Sequence, residues 1–263
     1  MHTIAIVVPA YKILKDLTRY EIKLLEQINS IFKNRRLFFI VPKCLELDYQ
    51  SYENFTTIAF ADNYFHDKHT YSRLLTSKDF YRRFDEFEYM QIIQTDCWVF
   101  DDRLDEFVSK GLDYIGAPWM VNGFEGRPET ELWKVGNGGF SLRKVQTFLS
   151  TIDQIHNSEK GKRTVFKNSG SGILKIIKNF GFRNNLRHYI KKAPGEDIFW
   201  AHYIPKVFSK EEFKIADPVT AAHYSFEVLP QFLFDDVTKG QLPMGCHNWM
   251  NNDPDFWAEH ISV

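Results

Sequence analysis

Four short motifs carry the side chains of this chain that could do chemistry. They are Gln94-Thr95-Asp96, Gly136-Asn137-Gly138-Gly139, Glu196-Asp197 and Cys246-His247. The first follows an apolar segment, and a carboxylate at the end of a buried strand lies at the open edge of a sheet. Such a carboxylate holds a diphosphate only through a divalent cation that bridges the two sets of oxygens. Asp96 is therefore a predicted cation and phosphate site, with a turn or helix-capping aspartate as the alternative.

The glycine-rich motif predicts that the backbone comes close to a ligand. Three glycines in four positions permit positive φ angles and leave space beside the main chain. The amide of Asn137 adds a group that can hydrogen-bond a sugar hydroxyl. Since the G-x-G-x-x-G spacing of a dinucleotide site is absent, a plain tight turn is the remaining alternative.

Glu196 and Asp197 follow a glycine and precede an aromatic run, an order that suits the start of a helix. A carboxylate in a cleft can deprotonate an acceptor hydroxyl, whereas a capping pair would serve only the helix dipole. His247 is either a metal ligand or a buried structural residue. Because no second cysteine lies near Cys246, zinc is not expected. His223 is a weaker candidate of the same kind.

Apolar segments predict the elements that would position these motifs. Strands are predicted at residues 4–9, 37–41, 56–60, 89–94 and 114–119. Helices are predicted at 18–32 and 71–84, and from the end of Phe140-Ser141-Leu142-Arg143 to about residue 151. This order predicts a single α/β domain with a mixed, mainly parallel, Rossmann-like sheet flanked by helices. Ligands are then expected at the carboxyl ends of the strands.

Composition excludes several functional classes. A net charge of −1 gives no indication of nucleic-acid binding. Three scattered cysteines argue against a disulfide framework and fit a reducing compartment. The sequence contains neither a secretion signal nor an apolar run of about 18 residues, so a cytoplasmic protein is predicted. A hydrolase or kinase is disfavoured because G-x-S-x-G and P-loop motifs are absent.

The segment 160–192 differs from the rest of the chain in its charge. It contains ten Lys and Arg residues and no acid, although the whole chain carries −1. We interpret it as the core of a basic insertion, at about 155–193, between the glycine-rich motif and Glu196. A polybasic segment can dock on anionic lipid or on a lipid-diphosphate acceptor, which would make the protein peripheral to the inner face of a membrane. A solvated insertion is the alternative.

Seven segments occur in the order found in one known protein family. They are residues 71–75, 80–84, 94–100, 113–119, 136–143, 196–199 and 245–249. Through these segments the chain resembles the bacterial DUF5672 family, which is similar to GT-A type glycosyltransferases. The resemblance implies one GT-A-like domain over residues 1–263. Residues 1–120 would form its nucleotide-binding half and residues 121–263 its acceptor half.

The activity implied by the resemblance is transfer of a sugar from a nucleotide sugar, preferably a UDP-sugar, to a glycan or lipid-linked acceptor. Inversion through a carboxylate base and a place in bacterial surface polysaccharide synthesis are part of that expectation. In GT-A folds a D-x-D motif holds a divalent metal ion, and position 94 of this chain has Gln in place of its first acid. A protein that binds a nucleotide sugar or carbohydrate without catalysis is therefore the alternative.

The resemblance also implies roles for individual residues. Asp96 and His247 are expected to hold a divalent cation, Mn²⁺ or Mg²⁺, with His223 as the alternative to His247. Asp197 or Glu196 is expected to act as the base. The donor is expected to contact Pro9, Tyr11, Asp62, Arg73, Gln94, Thr95 and Asp96. The acceptor sugar is expected to contact Trp119, Asn137, Gly138 and Gly139, although Trp119 could instead close the core.

Overall fold

A computed structural model describes residues 2–123, 129–157 and 195–262. Its strands are β1 (Ile4–Pro9), β2 (Arg36–Pro42), β3 (Phe55–Phe60), β4 (Tyr89–Ile93), β5 (Cys97–Val99), β6 (Tyr114–Ile115), β7 (Ala117–Met120), β8 (Leu132–Gly136), β9 (Phe140–Lys144), β10 (Ser225–Phe226) and β11 (Gly245–His247). Its α-helices are α1 (Arg19–Ile31), α2 (Glu46–Gln50), α3 (Lys68–Leu74), α4 (Lys78–Arg82), α5 (Leu104–Ser109), α6 (Val145–Asn157), α7 (Glu196–Ile198), α8 (Pro218–Tyr224), α9 (Pro230–Phe232) and α10 (Pro254–Ala258). Helices α7 and α9 continue as π-helical turns at Phe199–Tyr203 and Leu233–Val237.

The central sheet has the strand order β3-β2-β1-β4-β9-β6. Neighbouring strands from β3 to β4 are parallel, whereas β9 runs antiparallel to both β4 and β6. The predicted fold class, a mixed and mainly parallel sheet flanked by helices, is therefore confirmed. Two small sheets, β10-β11-β5 and β7-β8, lie beside it.

Strand β1 shows why the sheet is covered on both faces. Its residues are all buried, as expected for a continuous apolar run in a parallel sheet. Ile6 and Val8 pack into one apolar cluster together with Leu24 of α1. Val7 points to the opposite face and packs into a second cluster that includes Leu74 of α3. The alternation of side chains along the strand thus builds a core on each side of the sheet.

Two predicted elements differ from the structure. The helix predicted at 71–84 is two helices, α3 and α4, because Ser77 starts a new helix by accepting a hydrogen bond from the Phe80 amide. The strand predicted at 114–119 is divided between β6 and β7, which belong to different sheets. The helix predicted after Arg143 begins at Val145, and residues 140–144 before it form the strand β9, which was not predicted.

The basic segment 160–192 lies outside the described residues, as does nearly all of the wider insertion at 155–193. Within the described ranges, none of the helices has the length and apolar character needed to cross a membrane.

Candidate functional site

A cavity of about 550 Å³ opens at the edge of the central sheet where β1 and β4 end. Because β9 is antiparallel to β4, its first residue lies at this same edge. The Gln94 amide after β4 consequently donates a 2.8 Å hydrogen bond to the carbonyl of Gly139, just before β9. The sheet topology therefore brings the first two chemical motifs together.

Most of the predicted site residues line this cavity. They are Pro9, Tyr11, Gln94, Asp96, Asn137, Gly138, Gly139, Glu196, Asp197 and His247. The predicted residues that do not line it are Asp62, Arg73, Thr95 and Trp119, and the alternative ligand His223. Trp119 is buried against Gly136, where a Cβ would overlap its indole ring, so this side chain closes the core. Asp62 accepts a 3.0 Å hydrogen bond from the Cys44 amide instead.

Strand pairing brings His247 to Asp96. Strand β11 runs antiparallel to β5, with His247 opposite Cys97 and the Asn248 amide donating to the Asp96 carbonyl over 3.0 Å. His247 Nε2 then lies 3.4 Å from Asp96 Oδ1 and 3.3 Å from Gln94 Oε1. The other ring nitrogen, Nδ1, lies 2.9 Å from Glu227 Oε1.

The two carboxylates around His247 determine its charge in the metal-free protein. Burial disfavours the imidazolium, but the contacts with Asp96 and Glu227 outweigh burial and raise the pKa of His247 to about 10. Burial likewise acts to raise the pKa of Asp96, yet the contact with His247 leaves that pKa below its usual value. Without a metal ion, His247 is therefore a cation that lies between two carboxylates near neutral pH.

The same group fits a divalent cation. Asp96 Oδ1 is buried and makes no hydrogen bond, and it converges with Gln94 Oε1 and His247 Nε2. Glu227 can hold the proton on Nδ1, which leaves Nε2 free to coordinate, as carboxylates do behind many metal-binding histidines. Within the described residues, no three His, Cys, Asp or Glu side chains form a metal-binding group. The candidate donor set is therefore a carboxylate oxygen of Asp96, Nε2 of His247 and the amide oxygen of Gln94. Three protein donors leave coordination positions that phosphate oxygens could fill.

A buried ion pair lies at the cavity, which its carboxylate partner, Glu196, lines. Arg143 on β9 is completely buried, and its Nη2 donates a 2.7 Å hydrogen bond to Glu196 Oε1. Its Nη1 lies 3.0 Å from the Tyr81 hydroxyl and its Nε 3.1 Å from Ser141 Oγ. Glu196 lines the cavity, and its second oxygen, Oε2, is buried without a hydrogen-bond partner. Burial raises the pKa of Glu196, while the guanidinium acts in the opposite direction.

Asn137 forms the turn between β8 and β9. It adopts a positive φ of 80°, a conformation that asparagine tolerates better than most residues. Its Oδ1 accepts hydrogen bonds from the amides of Gly139 and Phe140, at 2.7 and 3.3 Å. Its Nδ2 is buried and has no partner. The side chain therefore holds the turn with its oxygen and leaves one N–H donor group at the cavity.

Asp197 is half-buried beside Glu196 and also lines the cavity. Its Oδ1 accepts a 2.9 Å hydrogen bond from the Ile198 amide, and burial raises the pKa of this carboxyl. No basic side chain is hydrogen-bonded to Asp197 among the described residues, in contrast to Glu196. The two adjacent carboxylates thus have different environments.

Sequence reasoning missed several residues of the cavity. They are Phe65, His66, Asp67, Lys68, Tyr71, Ser72, Gly195, Glu227 and Asn248. Those from 65 to 72 follow β3, and a polar loop after a parallel strand is a signal that could have found them. Glu227 follows a strand of only two residues, which is too short to produce a hydrophobic pattern.

Unpartnered polar atoms are concentrated in this cavity. Four buried side-chain atoms that form no hydrogen bond belong to residues that line it: Tyr71 Oη, Asn137 Nδ2, Glu196 Oε2 and Asp96 Oδ1, the last of which has only the 3.4 Å ion-pair contact with His247. Leaving such a group unsatisfied costs about 1–3 kcal/mol, and native proteins contain few of them. The set includes both donors and acceptors, so a polar ligand with hydroxyl groups would satisfy it.

The chain is similar to several solved glycosyltransferase structures at low identity. One is a glycosyltransferase involved in the glycosylation of the major capsid of PBCV-1, with a TM-score of 0.45, 10% identity and 98% coverage of both chains. A second is the galactosyltransferase LgtC in complex with donor and acceptor sugar analogues, with a TM-score of 0.45, 12% identity, and coverage of 92% of this chain and 86% of that one. A third is the bifunctional glycosyltransferase WbbM, with a TM-score of 0.46, 12% identity, and coverage of 96% of this chain and 47% of that one.

No curated protein sequence matches the chain. The family model described as a protein of unknown function, DUF5672, matches residues 54–247. Since this match covers most of the chain, the protein belongs to the DUF5672 family.

Proposed function

We propose that this protein transfers a sugar from a nucleotide-sugar donor to a hydroxyl group of an acceptor. The observation that carries the proposal is the set of four buried polar atoms that form no hydrogen bond, on residues that line the cavity. A nucleotide sugar supplies the complementary chemistry, because its diphosphate needs a cation and its sugar hydroxyls both donate and accept hydrogen bonds.

In this proposal Asp96, His247 and Gln94 hold a divalent cation, Mn²⁺ or Mg²⁺. The bound cation would neutralise charge on the diphosphate as it leaves. Glu227 orients the His247 ring by holding its Nδ1 proton, over the observed 2.9 Å. Tyr11, which is 56% exposed at the cavity, offers a face on which the nucleobase can stack, next to Pro9 at the end of β1.

Asp197 is the proposed general base. It takes the proton of the acceptor hydroxyl as the acceptor oxygen forms a bond to the anomeric carbon. The bond from that carbon to the phosphate oxygen breaks, and the nucleoside diphosphate leaves with its electron pair. Burial raises the pKa of Asp197, which makes the carboxylate a stronger base than an exposed aspartate. Glu196 is the poorer candidate because Arg143 already binds its carboxylate over 2.7 Å.

A UDP-sugar is the proposed donor, and a glycan or a lipid-linked sugar is the proposed acceptor. Asn137, Gly138 and Gly139 border the space in which the sugars would lie. Because Asp62, Arg73, Thr95 and Trp119 do not line the cavity, the proposal gives them no contact with either substrate.

The test uses Asp96→Asn, which keeps the shape of the side chain and removes its charge. Binding of UDP with Mn²⁺ is measured by calorimetry, and turnover is measured as UDP release from UDP-sugars. We expect the substitution to abolish the Mn²⁺-dependent part of UDP binding and to lower turnover by about 10²–10³-fold. Asp236→Asn, at an exposed aspartate outside the cavity lining, is the control and should behave as wild type.

Two results would contradict the proposal. Wild-type turnover in Asp96→Asn would remove the cation site from the mechanism. Binding of UDP-sugars by wild type without any release of UDP, across a panel of sugars, would instead favour a non-catalytic binding protein.

A further inference from the structure

The two consecutive glycines at 138 and 139 separate the cavity into two regions. A Cβ on Gly139 would overlap His247 Nε2, so this residue faces the candidate cation site. A Cβ on Gly138 would overlap Glu196 Oε1 and therefore faces the buried ion pair. The adjacent residues Gly139 and Gly138 thus lie next to the candidate cation site and next to Glu196, respectively. In the proposed function, the donor sugar is bonded directly to the phosphate at the cation, so its ring lies on the Glu196 side.

Glu196 and Asn137, the residue before Gly138, both line the cavity and carry one spare acceptor and one spare donor. Glu196 Oε2 is a buried carboxylate oxygen without a partner, and Asn137 Nδ2 is a buried amide nitrogen without a partner. A hydroxyl group satisfies both, because it can donate to the carboxylate while it accepts from the amide. A carboxylate on the sugar has no proton to donate and would place a second negative charge beside Glu196, which is unfavourable in a buried site.

Arg143 prevents Glu196 from turning away from the cavity. Its guanidinium contacts Glu196, Tyr81 and Ser141 at distances between 2.7 and 3.1 Å, and it has no exposed surface. A planar group fixed at three points holds Glu196 Oε1 in place through the 2.7 Å contact. Glu196 is therefore held beside the cavity while its second oxygen has no partner.

We propose that Glu196, held by Arg143, and Asn137 together bind one hydroxyl of the donor sugar and thereby select a sugar that carries a hydroxyl at that position. This inference rests on the proposed function, because it assumes that the donor sugar occupies this side of the cavity. It predicts that donors lacking the hydroxyl, or carrying a carboxylate in its place, are poor substrates.

The experiment compares substrate analogues across two variants. UDP-glucose and UDP-galactose are tested with their 2-, 3-, 4- and 6-deoxy analogues and with UDP-glucuronate, and kcat/KM is measured as UDP release in the presence of Mn²⁺. Glu196→Gln exchanges the spare acceptor for an amide donor, and Asn137→Asp exchanges the spare donor for an acceptor without removing Oδ1. Melting temperatures establish that both variants are folded, and Asp236→Asn again serves as the control.

For wild type we expect one deoxy analogue to lose at least about 10²-fold in kcat/KM, since a site built for a hydroxyl rejects ligands that lack it. UDP-glucuronate should lose as much when the rejected analogue is the 6-deoxy one, because its carboxylate replaces the 6-hydroxyl. In Glu196→Gln and in Asn137→Asp the penalty for that deoxy analogue should fall below about threefold, because the matching bond is already lost. The control should keep the wild-type pattern. In both variants the affinity for UDP alone should stay within about twofold, since UDP has no sugar to contact this region.

The inference is overturned if the wild-type enzyme tolerates every deoxy analogue, or if both variants retain the full penalty at the same position. If either outcome is seen while UDP is still released from the parent sugars, the proposed sugar transfer stands and only this inference fails. An absence of UDP release from either sugar by wild type would overturn the transfer function, and this inference with it.

Discussion

The buried Arg143–Glu196 pair permits a quantitative test of what holds the cavity together. Arg143 has no exposed surface and Glu196 is 4% exposed, and their 2.7 Å contact is the only ion pair of Arg143 among the described residues. Replacing Arg143 with methionine keeps the approximate volume but leaves a buried carboxylate without its cation. Breaking a buried pair in this way costs about 3–5 kcal/mol. For a chain of this size we expect a decrease in melting temperature of roughly 6–20 °C.

The assay is urea denaturation followed by circular dichroism, supported by thermal melting. Glu196→Gln should cost less, about 1–3 kcal/mol, since its amide oxygen can still accept from Arg143. The double variant removes both charges, so its cost should fall below the sum of the single costs by at least about 1.5 kcal/mol. Additive costs, or a loss below about 1 kcal/mol in Arg143→Met, would refute the reasoning.

A matched control is the exposed pair of Arg36 and Glu86. Its contact is also 2.7 Å long, but the two side chains are 55% and 59% exposed. Exposed pairs contribute about 0–1 kcal/mol, so Glu86→Gln, which leaves the Arg36 guanidinium over the Phe38 and Phe87 rings, should change the free energy of unfolding by no more than this. Equal losses at Glu86 and Arg143 would show that burial does not decide the effect.

Two further predictions concern protons. In metal-free protein the pKa of His247 is raised to about 10, so its ion pairs with Asp96 and Glu227 stabilise the fold fully below about pH 6.5 and are lost as the pH rises through 10. Between pH 6.5 and 10, measured in EDTA, the melting temperature of wild type should therefore fall more than that of His247→Gln. An equal fall in both proteins would show that these ion pairs do not stabilise the fold. Asp197→Asn keeps the acceptor for the Ile198 amide but removes the proposed base, so kcat should fall by about 10²–10⁴-fold while UDP binding is retained. An unchanged kcat would exclude Asp197 as the base.

Much of the fold could be predicted because its signals are local. A short run of β-branched residues stopped by proline, such as 4–9, favours a buried strand, and its order with the neighbouring helices predicts a mainly parallel sheet. The antiparallel strand β9 was missed because its five residues stand between a glycine-rich turn and a helix, without a separate pattern. The split at Ser77 was missed because a single hydrogen bond to the Phe80 amide decides it.

The sequence by itself determined which chemical groups are available and on which elements they lie. They are a carboxylate after β4, a glycine-rich turn before β9 and a pair of acids at the start of α7. Only the tertiary structure decided how these act. It places His247 rather than His223 beside Asp96, adds Glu227, and binds Glu196 to Arg143 while Asp197 remains outside that pair. The physical reason is that charge, pKa and coordination depend on atoms within about 4 Å, and such neighbours come from strands far apart in the chain.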